Sequence, residues 1–394
     1  MLSPIKEVNM FFKKKENSGL TAEIRVKRCY GCGAILQDKD PNEIGYVPPE
    51  KFESGEETLC ERCYKLRHYS SYSKSKNFNL DYITILSHAK EEHALAVYVL
   101  NAFCLNGSFL DGIGRYLPEN VLVVVNKRDC LPENYSDEFI KAKVQKKMEE
   151  ENIKPKDIIL TSASVSKNEN IDVLLSKISN LRCGKSVYFF GAYQVGKSSL
   201  INALLMDFNN KTEKMITTSP YPGTTLDVIN IPLDSETYLY DTPGIYNSSS
   251  MVSFLEPTLI KYVLPRNQVR PETYMTKEGQ SFVLYNLMRI DMTKGDKTNL
   301  TFFKSNDMTI SRCKINKADS LVDGYSQIGK TEIQTEKVKG HQDLVKNTVV
   351  AIPGHLNTIR VFGLMFIEFN GKDQEFDIYV PQGVKVTIES DITK

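Results

Sequence analysis

Eight consecutive residues, Gly191-Ala192-Tyr193-Gln194-Val195-Gly196-Lys197-Ser198, have the spacing G-x-x-x-x-G-K-S. A loop of this kind turns its backbone N–H groups inward on phosphate oxygens, and its glycines let the main chain come close. Lys197 would reach the β and γ oxygens, and Ser198 would offer its hydroxyl to Mg2+. Gly191, Gln194, Val195, Gly196 and Ser199 complete the expected cradle. Downstream, Asp241-Thr242-Pro243-Gly244 supplies a carboxylate for Mg2+, directly or through water, and a glycine N–H that can sense a γ-phosphate. Thr224 and Thr225 lie between the two motifs. A threonine there can complete the Mg2+ shell when triphosphate is bound, and Thr225 is the expected one. Lys197, Ser198, Thr225, Asp241 and Gly244 are thus the candidate catalytic set, and Ser198, Thr225 and Asp241 the candidate magnesium set.

The base is addressed by Asn126-Lys127-Arg128-Asp129. A carboxylate at Asp129 accepts two hydrogen bonds from guanine N1 and N2. Adenine lacks that donor pair, so such a site discriminates by leaving buried polar groups unpaired. Asn126 would brace the loop and Lys127 would lie over the base. Ser162-Ala163 would present a backbone N–H to guanine O6. In ordinary small GTPases the phosphate loop comes first and N-K-x-D follows. Here Asn126–Asp129 and Ser162–Ala163 precede Gly191–Ser198, Thr225 and Asp241–Gly244, which is a circular permutation. Ile245 follows Gly244, where Ras-like enzymes carry a water-orienting glutamine. An aliphatic side chain cannot position water, so slow hydrolysis is expected without a partner or a cation.

A second kind of chemistry lies upstream. Of eight cysteines, four form two pairs, Cys29-x-x-Cys32 and Cys60-x-x-Cys63. Two such knuckles can close a tetrahedral zinc site, with Gly31 and Gly33 easing the turn around Cys32. A redox dithiol is the alternative. The stretch from Cys60 to Lys76 interleaves Arg62, Lys65, Arg67, Lys74 and Lys76 with Tyr64, Tyr69 and Tyr72. Basic and aromatic side chains together suit phosphate contacts and base stacking on RNA; a solvated linker would look the same.

These residues need elements to hold them. Ala94–Leu100, Val121–Val125, Ile158–Thr161, Val187–Phe190, Thr225–Ile231 and Thr237–Tyr240 read as strands. Asp137–Glu150, Ile171–Leu181 and Ser199–Met206 read as helices. This alternation predicts an α/β domain with a parallel sheet. Further on, Phe282–Ile290, Leu300–Phe303, Thr358–Phe369, Phe376–Val380 and Val384–Glu389 are strand-like, around a long polar insertion near 312–346. The expected fold class is therefore α/β: a circularly permuted P-loop GTPase domain between a metal module and a mostly-β domain. The expected boundaries are a flexible segment at 1–28, a four-cysteine zinc module at 29–76, the nucleotide domain at 77–264 and a β-rich domain at 265–394.

Composition narrows the class. The chain has 394 residues, with 41% hydrophobic and 25% charged residues, as globular proteins do. Lys plus Arg is 50 and Asp plus Glu is 49, so any nucleic-acid contact must come from a local patch. No apolar run reaches the ~18 residues of a membrane helix. The first residues lack an apolar core and carry Glu7, Glu16 and Glu23, which disfavours secretory and mitochondrial leaders. A cytoplasmic protein is expected.

The motifs CYGCGAILQ, LCERCYKLRHY, VNKRD, TSAS, GAYQVGKSSLINALL, YPGTTLD and DTPGI, in that order, resemble the YqeH family of circularly permuted GTPases, bacterial relatives of the plant nitric-oxide-associated proteins. The resemblance covers roughly residues 28–394. It implies a GTP-hydrolysing switch in assembly of the small (30S) ribosomal subunit, with GTP or GDP, Mg2+, Zn2+ and rRNA or ribonucleoprotein as ligands. It also implies a C-terminal β domain that engages RNA or protein. A zinc-dependent RNA-binding module whose nucleotide domain only senses GTP or GDP is the alternative. There are two departures from the family. Gln194 stands where relatives usually have the asparagine that helps hold a potassium ion, which puts K+ stimulation in question. Relatives also tend to carry aspartates near Asn101 and Cys104.

Overall fold

The computed structural model describes residues 36–41, 45–53, 60–61, 76–164, 167–211, 219–220, 229–325, 327–328, 331–333 and 338–391. Cys29, Cys32, Cys63, Thr224, Thr225 and most of the basic and aromatic stretch lie outside them.

The nucleotide domain is entered by helix α1 (Lys76–Glu91) and built on β1 (Leu95–Asn101), β2 (Val121–Asn126), β3 (Asp157–Leu160), β4 (Val187–Phe190), β5 (Ser219–Pro220), β6 (Ile229–Pro232) and β7 (Tyr238–Asp241). The sheet order is β3-β2-β1-β4-β7-β6-β5. Its first five strands run parallel, and β6 and β5 are antiparallel additions at one edge. Strands β1, β2 and β4 are buried at every residue, and their unbroken apolar runs are what a sheet covered on both faces demands. Helices α2 (Asp137–Glu150) and α3 (Ile171–Leu181) form over the expected spans. The α2 start is set by Ser136, whose hydroxyl accepts from the Phe139 N–H at 3.2 Å. Helix α4 (Lys197–Lys211) begins within the phosphate loop.

After α5 (Pro257–Val263) the chain builds two five-stranded antiparallel sheets. Their strands are β8 (Glu272–Thr276), β9 (Gln280–Leu284), β10 (Met288–Lys294), β11 (Thr298–Phe303), β12 (Ser311–Lys314), β13 (Leu344–Val350), β14 (Leu356–Val361), β15 (Met365–Asn370), β16 (Glu375–Pro381) and β17 (Val386–Asp391). One sheet has the order β8-β11-β15-β14-β17 and the other β12-β9-β10-β16-β13. Both contribute to a single core, in which Phe282 meets Phe302 and Phe369 meets Phe376, each at 5.1 Å between ring centroids.

Three sequence expectations are corrected here. Phe282–Ile290 is two strands, β9 and β10, joined through Tyr285-Asn286-Leu287, and Thr358–Phe369 is likewise β14 and β15, joined through Phe362-Gly363-Leu364. Both turns are buried; Asn286 spends its amide on Ile333 O and Val338 O inside the protein, so one Asn or Gly between apolar neighbours is the whole turn signal in the sequence. The third is the polar stretch 312–346, which holds β12, helix α6 (Ile315–Asp323) and the start of β13. Ala318 and Val322 of α6 pack on Val283 and Leu344.

The sandwich is stitched to the nucleotide domain. Tyr135 stands edge-on to Phe303 and Phe366, both at 5.9 Å, and its hydroxyl donates to Glu368. At the β14–β15 turn, the Met251 N–H donates to Phe362 O at 2.7 Å, and the Lys385 N–H donates to Ser249 O at 2.9 Å. Gly363 has φ +75°, and a Cβ there would sit 2.0 Å from Ser250 Oγ and 3.0 Å from the Met251 nitrogen. Gly363→Ala should therefore cost about 2–3 kcal/mol, through backbone strain and a forced shift of the 249–252 segment. Urea denaturation checks this, and a midpoint equal to that of the parent would refute the close approach.

Candidate functional site

Strand β4 leads straight into the phosphate loop. Gly191 has φ +152°, and a Cβ on it would lie 2.3 Å from Val99 O. Gly196 has φ +92°, and its Cβ would lie 2.5 Å from Asn126 Nδ2. Both positions exclude side chains because neighbouring strands press against the loop. Gln194 adopts φ +65°, and Val195 is buried. Lys197 is 7% exposed, and its ammonium group donates to Gly191 O at 3.2 Å and Ala192 O at 3.4 Å. The Ser198 hydroxyl donates to Asp241 Oδ2 at 2.9 Å. A hydroxyl and a carboxylate converging at the mouth of a phosphate loop are the hard oxygen donors that Mg2+ takes. Ser199 follows on α4, whose N-terminal N–H groups add to the anion-binding field.

The base turn follows β2. The Asn126 carboxamide donates to Val195 O at 3.2 Å and accepts from Thr161 Oγ1 at 3.3 Å, tying the base turn to the phosphate loop. Lys127 takes φ +63°, and its Cε lies 3.7 Å from where a Gly196 Cβ would be, so its stem crosses the phosphate loop. Arg128 is turned away by Asp137 at 2.7 Å. The Asp129 N–H donates to Ser162 Oγ at 3.1 Å, and that hydroxyl donates to Glu169 Oε2 at 3.0 Å. Ser162–Ala163 pairs with Asn168–Glu169 in a short antiparallel ladder. Asp129 lines an open cleft of about 620 Å³ together with Leu131, Leu160, Lys167 and Glu169.

Glu169 is a residue that sequence reasoning misses. Lys167, 2.8 Å away, holds its carboxyl below the usual carboxylate range; burial opposes this and the Ser162 hydroxyl adds to it. A charged Glu169 fixes the Ser162 hydroxyl, which fixes the Asp129 backbone. No residue pattern announces this role, because it arises when the chain doubles back at 162–169.

The switch turn follows β7. Asp241 is buried. A Cβ on Gly244 would lie 2.8 Å from Tyr193 Cα and 3.3 Å from Lys197 Nζ, so the Gly244 backbone abuts the phosphate loop. The Tyr193 N–H donates to Ile245 O at 2.8 Å and the Ile245 N–H donates to Gly191 O at 3.1 Å. Tyr193 and Tyr246 stack at 4.5 Å. Ile245 is thus bridged to the phosphate loop through its backbone, and its aliphatic side chain packs against the core of the nucleotide domain. Asn101, one of the two departures from relatives, uses its Oδ1 to accept from the Phe103 and Cys104 N–H groups at 3.0 and 3.2 Å. An aspartate would accept the same two bonds.

Of the four cysteines in knuckles, Cys60 is described and buried; the other three lie outside the described residues. Among the described residues, no group of three or more His, Cys, Asp or Glu stands where it could hold a metal ion, and no helix is long and apolar enough to cross a membrane.

Comparison with known proteins agrees with this geometry. Residues 186–286 match a family described as 50S ribosome-binding GTPase. That stretch runs from β4 through the phosphate loop and switch turn and leaves the base turn upstream, as the permuted order requires. Residues 297–392 match the YqeH-like C-terminal family. The uncharacterized protein YqeH of Bacillus subtilis is 31% identical over 361 residues, 91% of this chain and 97% of that protein. NO-associated protein 1, chloroplastic/mitochondrial, of Arabidopsis thaliana is 27% identical over 326 residues, 71% of this chain and 57% of that protein. GTPase Der of Aquifex aeolicus is 41% identical over 78 residues, 19% of this chain and 17% of that protein. Likeness to the Bacillus protein over nearly the whole of both chains, with the family's C-terminal domain matched in place, makes this chain a GTPase of the YqeH family.

Proposed function

We propose that this GTPase is a switch in ribosome assembly, which binds a precursor of the small subunit, or its rRNA, in the triphosphate state and releases it after hydrolysis. Guanine is read by Asp129, with Asn126, Lys127, Ser162 and Ala163 shaping its site. The phosphates are held by Gly191, Gln194, Val195, Gly196, Lys197, Ser198 and Ser199. Mg2+ is held by Ser198, Thr225 and Asp241, and the γ-phosphate is sensed by the Gly244 N–H. Cys29, Cys32, Cys60 and Cys63 bind zinc, and the basic residues that follow contact RNA in the cytoplasm. Hydrolysis is slow without a partner, and Gln194 puts K+ stimulation in question.

The observation that carries the proposal is the continuity of the switch with the C-terminal sandwich. Beyond Ile245, Ser249 O accepts from the Lys385 N–H, and the Met251 N–H donates to Phe362 O. A turn that moves with the γ-phosphate therefore pulls on backbone of the second domain. Co-sedimentation with purified ribosomal subunits tests the reading, comparing a non-hydrolysable GTP analogue with GDP. Movement with the small subunit in the triphosphate state only is the expected result. Movement with the large subunit would transfer the role to the 50S particle named in the family description. Absence of movement in both states would overturn the assembly role. Zinc enters the same reading as one tightly bound ion per chain, so a metal-free protein by elemental analysis would remove it.

A further inference from the structure

Tyr82 of α1 stands outside the residues that would meet nucleotide, yet its hydroxyl lies at the junction of the phosphate loop and the switch turn. The residue is 3% exposed, and its hydroxyl is 2.8 Å from Thr242 Oγ1. Thr242 spends its own hydroxyl proton on Phe189 O at 2.7 Å. A hydroxyl has one proton to give, so Tyr82 is the donor to Thr242. The two bonds form a directed chain, from Tyr82 to Thr242 and from Thr242 to Phe189, the penultimate residue of β4.

This chain ties α1 to the strand that leads into the phosphate loop and to the turn that follows Asp241. Gly191 opens the phosphate loop, and its carbonyl takes Lys197 and the Ile245 N–H. Thr242 stands between Asp241 and Gly244. Around Tyr82 the surroundings are apolar: Ile85, Leu86 and Ala89 of α1 join the core of the nucleotide domain. Packing alone would be met by phenylalanine. A phenol buried there is costly unless its hydroxyl is bonded, and burial pushes its pKa up, so it remains a donor at neutral pH.

We propose that Tyr82 is a positioning residue for GTP hydrolysis. It holds the Thr242–Gly244 turn against β4 in the arrangement that reads the γ-phosphate, and so links α1 to the nucleotide state. Coupling of this kind is reciprocal: if α1 steadies the switch turn, the γ-phosphate steadies α1. The inference needs the GTPase activity but no ribosomal partner.

The test uses Tyr82→Phe in the full chain, with steady-state kinetics, affinities for GDP and a non-hydrolysable GTP analogue, thermal unfolding, and amide exchange of residues 82–91. The expected result is a roughly 10-fold fall in kcat with KM for GTP rising about 5-fold, because hydrolysis is slow and KM then follows triphosphate binding. GDP affinity should hold while preference for the analogue falls about 5-fold, and the nucleotide-dependent difference in α1 exchange should collapse. Thr242→Val removes the partner hydroxyl. The double variant should then be little worse than either single one, since both break one chain, while Thr242→Ser should restore the analogue preference. Equal losses for GDP and analogue with a lowered melting temperature would reduce Tyr82 to a structural residue and overturn the proposal. Unchanged kinetics in Tyr82→Phe would overturn it as well. Should that variant not fold, Thr242→Val reports on the same pair from the other side.

Discussion

Asp129→Asn should exchange guanine for xanthine preference, with GDP affinity falling by about 10²–10⁴-fold and XDP affinity rising to overtake it. The estimate rests on two charge-assisted hydrogen bonds, each worth about 1.5–3 kcal/mol, from guanine N1 and N2 to one carboxylate. An asparagine amide keeps one acceptor but sets its NH2 against a guanine donor, whereas xanthine presents a carbonyl at that position. The structure makes the substitution clean. The base turn is held by the Asp129 backbone N–H on Ser162 Oγ, by Glu169 behind that hydroxyl, and by Asn126 on Val195 O. None of these bonds uses the Asp129 carboxylate, so the turn survives the change. Equilibrium titration with labelled GDP and XDP measures the effect, and a GDP affinity equal to that of the parent would mean that guanine is read elsewhere.

Lys197→Ala should lower kcat/KM for GTP by about 10³-fold, a loss of roughly 4 kcal/mol of transition-state stabilisation. Phosphoryl transfer needs little covalent help from the protein and much charge stabilisation. Lys197 is the buried cation within the phosphate loop, and Gly244 lies beside it. Alanine would also leave Gly191 O and Ala192 O without the ammonium donor, at about 1 kcal/mol of stability. The melting temperature should therefore fall only slightly while activity nearly disappears. Single-turnover hydrolysis at saturating GTP separates chemistry from binding, and a rate within 10-fold of the parent would remove Lys197 from the catalytic set. In a cell, the variant also separates a switch from a sensor: if hydrolysis drives release, the variant should stay on its target.

Local chemistry was legible in the chain because it is written in contiguous residues. The phosphate loop, the base turn and the switch turn each need particular side chains at fixed short spacing, and β4, α2 and α3 form over their expected spans for equally local reasons, namely apolar runs, an Ser136 cap and helical periodicity. The permuted order of the motifs could also be read directly, since it is a matter of sequence order alone. What packing decided was hidden for the opposite reason. The turns at Tyr285–Leu287 and Phe362–Leu364 each carry a single turn-forming residue, Asn286 or Gly363, between apolar neighbours that other elements cover, so two hairpins read as two long strands. Gly363 matters only because Ser250 lies against it, Glu169 only because the chain doubles back on Ser162, and Tyr82 only because α1 brings a phenol, from far away in the chain, onto Thr242. Each of these roles is a contact across long sequence separation, and residue type and spacing carry no record of such a contact until burial and hydrogen bonding select it.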